Sequence, residues 1–270
     1  MTERIQAKKS LGQNFLKDPH YLSRIAEAAH IAPDSQVIEI GPGMGDLTRE
    51  LLRRAGKLLL IELDDRLIPL LRKEFGADPR VTIVHADAME FDFRGLSGTW
   101  SVVANLPYYV ATPLIQRMLL LRGTLGSLTL MLQQEVADRI CAAPGGKEYG
   151  YLSVISQMDA VPRKEFSVPP AAFQPTPKVF SAVITLSLRP ESLVPDRDRD
   201  LFVRMIKAGF SLRRKTLRNA LGQLGIPSDA WDGIATASGI DPRRRAETLS
   251  IAEFLRLLAA LQPYVQSPSS

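Results

Sequence analysis

The apolar pattern Ser101-Val-Val-Ala104 stops at Asn105-Leu106-Pro107-Tyr108, four residues suited to chemistry on the amino group of a nucleobase. An exocyclic amine on adenine is a poor nucleophile, because its lone pair is delocalised into the ring. Two acceptors must hold its hydrogens while the nitrogen pyramidalises, and the Asn105 side-chain oxygen with the Leu106 carbonyl can supply them. Pro107 lacks an N–H and fixes its φ, which stiffens the turn. Tyr108 offers a flat face for an extruded base. By itself the tetrad also reads as an ordinary Asn/Pro turn after a strand.

Three earlier strand ends favour the chemical reading. Gln36-Val-Ile-Glu-Ile40 runs into Gly41-Pro-Gly43-Met-Gly45 and then a helical pattern, the entry of a nucleotide-binding βαβ unit. Glu62 ends the next strand 21 residues after Gly41, about the spacing at which an acid grips ribose hydroxyls. Asp46 occupies the place of the third glycine of the dinucleotide fingerprint, which argues against a nicotinamide dehydrogenase. Val81-Thr-Ile-Val-His85 leads to Asp87, whose carboxylate can accept from an adenine amino group. Glycine turn, Glu62 and Asp87 thus fall along one sheet edge, where open α/β sheets bind ligands.

These motifs resemble those of the rRNA adenine N6,N6-dimethyltransferases: Glu39-Ile-Gly-Pro-Gly-Met-Gly45, Glu62-Leu-Asp64, Asp87-Ala-Met89 and Asn105-Leu-Pro-Tyr108. Lys8-Lys-Ser-Leu-Gly-Gln-Asn14-Phe-Leu16, Phe173-Gln-Pro-Thr-Pro-Lys-Val-Phe-Ser-Ala-Val183 and Arg213-Arg-Lys-Thr-Leu-Arg-Asn219 extend the likeness over nearly the whole chain. It is most like the bacterial branch that dimethylates two adjacent adenosines near the 3′ end of 16S rRNA. The resemblance implies a Rossmann-like class I methyltransferase sheet using S-adenosyl-L-methionine. It places Asn14, Leu16, Gly41, Gly43, Glu62, Asp87 and Asn105 at the cofactor. Phe173 becomes a second stacking surface for the adenine, although an aromatic plugging the core under a rigid loop is the competing reading. Tyr109 departs from members with Asn there. The macrolide-resistance dimethylases of 23S rRNA are the nearest rival; they commonly show Asn-Ile-Pro-Tyr and lack the Phe173–Val183 box in this form. A mainly non-catalytic small-subunit assembly factor is the rival from another class.

The elements that must position these residues read as two domains. Strand patterns near 36–41, 57–62, 81–86, 101–105 and 127–132 alternate with helical ones, predicting an α/β sheet. Asp18-Pro19 favours a turn before a helix containing Tyr21–Ala29, and Gln133–Ile140 reads as another. Tyr151–Met158 and Ala182–Leu188 read as the last two strands. Residues 1–190 form the expected catalytic domain, with 1–18 as a basic lead-in. Residues 191–270 form a small all-α domain, with helices at 201–210, 213–222, 228–237 and 251–262.

Charge and composition fit a nucleic-acid partner. The net charge is +5, with local clusters at Lys8 and Lys9, at Arg213, Arg214, Lys215 and Arg218, and at Arg243–Arg245. The first two are expected to contact RNA phosphates, and the third is undecided between contact and solvated face. One cysteine, Cys141, excludes an internal disulfide, and three histidines show no metal-ligand spacing. With no leader pattern and no apolar run of spanning length, a soluble cytoplasmic protein is expected, acting without metal as a monomer on 16S rRNA within the 30S subunit or its precursor.

Overall fold

Each βα unit in the first half of the chain ends its strand on the same edge of one sheet. The computed structural model describes Lys8 and residues 13–107, 110–212 and 214–265; Lys9, Tyr108, Tyr109 and Arg213 lie outside the described residues. The elements in order are β1 (Phe15–Leu16), α1 (Pro19–Ala28), β2 (Gln36–Ile40), α2 (Asp46–Leu52), β3 (Lys57–Glu62), α3 (Ile68–Phe75), β4 (Val81–His85), β5 (Trp100–Asn105), α4 (Ala111–Leu119) and β6 (Leu125–Gln133). They continue with α5 (Gln134–Cys141), α6 (Tyr151–Asp159), β7 (Ala160–Val168), β8 (Phe173–Gln174), β9 (Ser181–Leu188), α7 (Arg199–Ser211), α8 (Leu217–Leu221), α9 (Trp231–Ser238) and α10 (Ile251–Leu261).

The seven-stranded sheet has the order β4-β3-β2-β5-β6-β9-β7. Strands β4 to β6 in that order are parallel, and the inner β3, β2 and β5 with β6 are mostly buried along their length, which explains their apolar runs; β4, at the edge, is only part-buried. Val37, Leu58, Leu60, Val102 and Val103 are fully buried. β9 then pairs antiparallel with β6, and β7 with β9. A separate two-stranded ladder joins β1 to β8, with Leu16 opposite Phe173. The expected helix over Tyr21–Ala29 is α1, and it begins two residues earlier: the Asp18 side chain accepts from His20 N–H at 2.9 Å as its cap, with Pro19 in the first turn.

Two readings of the sequence are corrected here. Tyr151–Met158 is helix, not strand. Its Ser153 and Ser156 are small enough to bury beside Val154, Ile155 and Met158, and a short apolar run does not distinguish helix from strand by periodicity. The missing strand is β7, Ala-Val-Pro-Arg-Lys-Glu-Phe-Ser-Val, whose charges and Pro162 suit its edge position. The domain boundary also changes. One compact unit comprises 1–137 and 160–190, the other 138–159 and 191–270, so α6 belongs with the helices.

In the second unit, Tyr149, Val154 and Met158 join Phe202, Met205, Trp231, Phe254 and Leu258 in one apolar core. Asp159, with no exposure, accepts from Arg199 at 3.1 and 2.5 Å. The expected helix at 213–222 starts later, at Leu217, because Thr216 caps it and its hydroxyl accepts from Asn219 N–H. Arg214 and Lys215 therefore sit in the preceding turn and do not share a helix face with Arg218.

Candidate active site

The ends of β2, β3, β4 and β5 build one cleft. After Ile40 the chain turns through Gly41, Gly43 and Gly45, all at positive φ (67°, 60° and 77°). A Cβ at Gly43 would lie 3.0 Å from the Phe15 ring, and one at Gly45 would lie 2.6 Å from Phe75. A Cβ at Gly41 would meet nothing within 4 Å, so the space over that turn is open to a ligand.

Glu62 fastens this turn. One carboxylate oxygen accepts from Gly43 N–H at 3.0 Å and the other from Asp64 N–H at 2.8 Å. Each oxygen keeps a lone pair for a further donor such as a ribose hydroxyl. Burial raises the Glu62 pKa, and the Asp64, Gly43 and Leu63 amides oppose that shift. Below the turn Glu39 is buried too; its carboxylate accepts from the Thr48 hydroxyl at 2.6 Å, and desolvation pushes its pKa up to about 8. Asp87 is half-buried and accepts from Met89 N–H at 2.7 Å.

Asn105 joins the tetrad to the N-terminal lead-in. Its Nδ2 donates to the Asn14 carbonyl at 3.0 Å, which leaves Oδ1 as the acceptor of that side chain. Leu106 N–H donates to Met131 O at 3.3 Å, anchoring the turn to β6. The resulting cleft of about 200 Å³ is lined by Asn14, Phe15, Glu62, Asp87, Asn105 and Pro107, among others. Gly41, Gly43 and Leu106 also border it. Leu16 does not; it lines a smaller adjoining depression with Gly41, Gly43 and Asn105. Phe173 is the clear departure. Its side chain is 5% exposed and packs in the core with Leu16, Val168 and Val183, because the β1–β8 ladder turns it inward. It is a core plug in this geometry, not a face of the cleft.

Three contributors went unread in the sequence. Gln13 Nε2 donates to Asp64 at 2.9 Å, while Arg66 contacts the same carboxylate at 2.9 and 2.6 Å and holds its pKa well below the usual range. Phe15 fills the space that Gly43 leaves open. Arg117 on α4 donates to the Ala88 and Phe91 carbonyls at 2.6 and 2.7 Å, fixing the loop that carries Asp87. Phe15 and Gln13 lay inside a recognised motif; Arg117 had no local signal.

The expected RNA residues do not behave alike. Lys8 is exposed and its backbone N–H donates to Gln13. Arg214, Lys215 and Arg218 are exposed, and Arg218 reaches the Ser228 carbonyl at 3.0 Å. By contrast, Arg243, Arg244 and Arg245 lie beside Asp241, Glu253 and Glu247 at 2.8, 2.5 and 3.8 Å. Each arginine of that cluster thus has an acidic neighbour, although Arg243 and Arg245 remain largely exposed. Among the described residues no group of three or more His, Cys, Asp or Glu could hold a metal ion, and no helix is long and apolar enough to cross a membrane.

The model of the ribosomal RNA adenine dimethylase family matches residues 4–262. The chain belongs to that family. The dimethylase is 46% identical over 264 residues to the ribosomal RNA small subunit methyltransferase A of Geobacter sulfurreducens, covering 95% of this chain and 96% of that one. It is 42% identical to the enzyme of the same name from Moorella thermoacetica, covering 94% and 92%. Among solved structures, a dimethyladenosine transferase from Plasmodium falciparum superposes with a TM-score of 0.79 at 26% identity, covering 93% of this chain and 98% of that one. The 23S rRNA methyltransferase ErmE gives 0.73 at 27%, covering 92% and 99%. The fold is that of class I rRNA methyltransferases, and the dimethylase is an S-adenosylmethionine-dependent enzyme acting on rRNA adenine. The open turn at Gly41, the Glu62 lone pairs and the Asp87 carboxylate fit that cofactor.

Proposed function

We propose that the dimethylase methylates N6 of two adjacent adenosines near the 3′ end of 16S rRNA, giving N6,N6-dimethyladenosines in the 30S subunit or its precursor. The observation that carries this reading is Asn105, on the same cleft as Glu62 and Asp87, with its amide nitrogen already committed to Asn14. Its Oδ1 and the Leu106 carbonyl accept the two amine hydrogens and aim the nitrogen lone pair, a positioning effect. Tyr108 stacks on the extruded base, a role that comes from the family motif. Gly41 and Gly43 pass the methionine end of the cofactor, Glu62 binds its ribose and Asp87 its adenine amine; Asn14 closes over it, backed by Leu16 in the adjoining depression. The bound cofactor supplies an electrophilic methyl on sulfur. An amide is no base at neutral pH, so the proton leaves to solvent after attack. Two methyls per base require the pocket to readmit the monomethyl product. Lys8, Lys9, Arg213, Arg214, Lys215 and Arg218 contact phosphates, and the enzyme works as a cytoplasmic monomer without metal.

The test is tritium transfer from labelled S-adenosylmethionine to small subunits that lack the modification, followed by nuclease digestion. Labelled dimethyladenosine at two adjacent positions is expected; no transfer to these particles, with transfer to large-subunit RNA offered in a parallel reaction, overturns the reading. Asn105→Ala should lower turnover by about 100-fold or more with particle affinity retained. Equal losses in both would make Asn105 a structural residue.

A further inference from the structure

One surface on the sheet edge that carries the cleft is not used by the roles above. Lys178, Val179 and Phe180 are consecutive and exposed, Phe180 to 52% and Val179 to 44%. They precede Ser181, which starts β9 on the edge where β6 ends, since Ser181 pairs with Gln133. The segment is fixed at both ends. The Phe180 carbonyl accepts from Gln134 N–H at 3.0 Å, and upstream Phe173–Gln174 is laddered to β1.

Its distance from the chemistry follows from the register. Asn105 is level with Met131 on β6, and Met131 with Val183 on β9. Two strand spacings separate Asn105 from Val183, about 10 Å, and three residues from Val183 to Phe180 add about 10 Å along the strand. The ring is too far away to touch the target base and near enough for a neighbouring nucleotide.

The chemistry of the patch selects the occupant. Two apolar side chains flanked by the exposed Gln174, Thr176 and Lys178 are far too small for a stable protein interface. They are enough for one base. Lys178 has no acidic partner within ion-pair distance among the described residues, so its charge is available to a phosphate. A rigid aromatic face with a nearby cation is the pattern by which proteins hold unpaired RNA bases. We propose that Phe180 is a stacking platform for an unpaired rRNA base close to the target adenosine, with Val179 extending the apolar surface and Lys178 meeting the backbone.

This rests on the rRNA reading above, and the test separates the two. Full-length wild type, Phe180→Ala, Phe180→Leu and Phe180→Trp are titrated with small subunits lacking the modification, beside a methylation assay. Phe180→Ala should weaken particle affinity roughly 5- to 150-fold, the worth of one stacked base. Its affinity for S-adenosylmethionine should be unchanged, which also shows that the variant is folded. Phe180→Leu should fall with alanine, because it keeps apolar bulk and loses the ring. Phe180→Trp should bind as wild type, with its added fluorescence quenched on binding; Trp100 and Trp231 are 2% and 3% exposed and give the wild-type baseline. Benzoylphenylalanine placed at 180 should cross-link to rRNA. Wild-type affinity in Phe180→Ala or Phe180→Leu, or a cross-link to ribosomal protein, overturns the platform. Wild type that fails to methylate small subunits overturns the parent reading instead.

Discussion

In the first unit Glu39 and Glu62 are buried near the ends of adjacent parallel strands, partnered by backbone amides and a threonine hydroxyl. In the second unit Asp159 is buried against Arg199, and the half-buried Glu253 meets Arg244, which holds its pKa down at about 2. Both glutamates of the first unit have their pKa raised by burial. The contrast separates two uses of a carboxylate. Pairing with arginine fixes a scaffold at little residual electrostatic cost, whereas an unpaired acid at a strand end keeps acceptor capacity for a ligand and carries the desolvation cost until one arrives. Asp64 is instructive between them. It follows Glu62 by two residues, yet Arg66 and Gln13 occupy its oxygens, so its acceptor capacity is used within the fold.

The largest test of this contrast is Arg199→Ala. It leaves Asp159 buried without its cation and should lower stability by about 3–5 kcal/mol in urea melts of the full chain. Replacing both partners with apolar residues, Arg199→Met with Asp159→Leu, should recover most of that loss. Failure of the double variant to recover would mean that the pair does more than fill and neutralise the core.

Glu39→Gln should have the opposite character. Between the ordinary carboxyl value of 4.5 and about 8 the folded chain keeps a proton that the unfolded chain has released, so wild-type stability falls as pH rises through that window. The slope is up to about 1.4 kcal/mol per pH unit and flattens above it. The variant lacks this contribution, so the difference between the two proteins should widen from pH 5 to pH 8 in favour of glutamine. A constant difference would show that the carboxyl is charged in the fold throughout.

Next in size is Glu62→Ala, which removes acceptors for the ribose and frees the Gly43 amide. Calorimetric titration should show S-adenosylmethionine affinity down roughly 10- to 150-fold, the range for hydrogen bonds to a charged group. Unchanged affinity would take Glu62 out of the cofactor site. The smallest effect is expected from Arg214→Gln with Lys215→Gln. Particle affinity should fall modestly, and its log–log salt slope should flatten by about 0.7–0.9 per lost phosphate contact. Arg243→Gln, already paired with Asp241, should leave the slope unchanged.

What could be read beforehand divides along the same line. Gly41, Gly43, Glu62, Asp87 and Asn105, all lining the cleft, are legible because each lies at or within three residues of the end of a parallel strand and differs in type from the strand before it. Phe173 was misplaced because its direction is set by the ladder to Leu16, 157 residues away, for which no local signal exists. The residue types of the basic cluster favour a helix, but capping by Thr216 starts it only at Leu217. Arg117 acts through backbone carbonyls of another loop, a partnership that only the fold creates.

The second unit takes its core from two separated stretches, 138–159 and 191 onward, with β7 and β9 between them. This has a consequence for how the chain is made. Tyr149, Val154 and Met158 leave the ribosome before the helices that cover them, and the Tyr149 hydroxyl waits for the Leu249 carbonyl, 100 residues later. At about 5–20 residues per second that interval lasts seconds, long enough for exposed apolar surface to meet the wrong partner. A cut at 190 would prolong the same predicament indefinitely on both fragments, leaving α6 without its cover and Arg199 without Asp159. The helical unit therefore cannot be borrowed as a C-terminal module; a transplant must carry α6 with it.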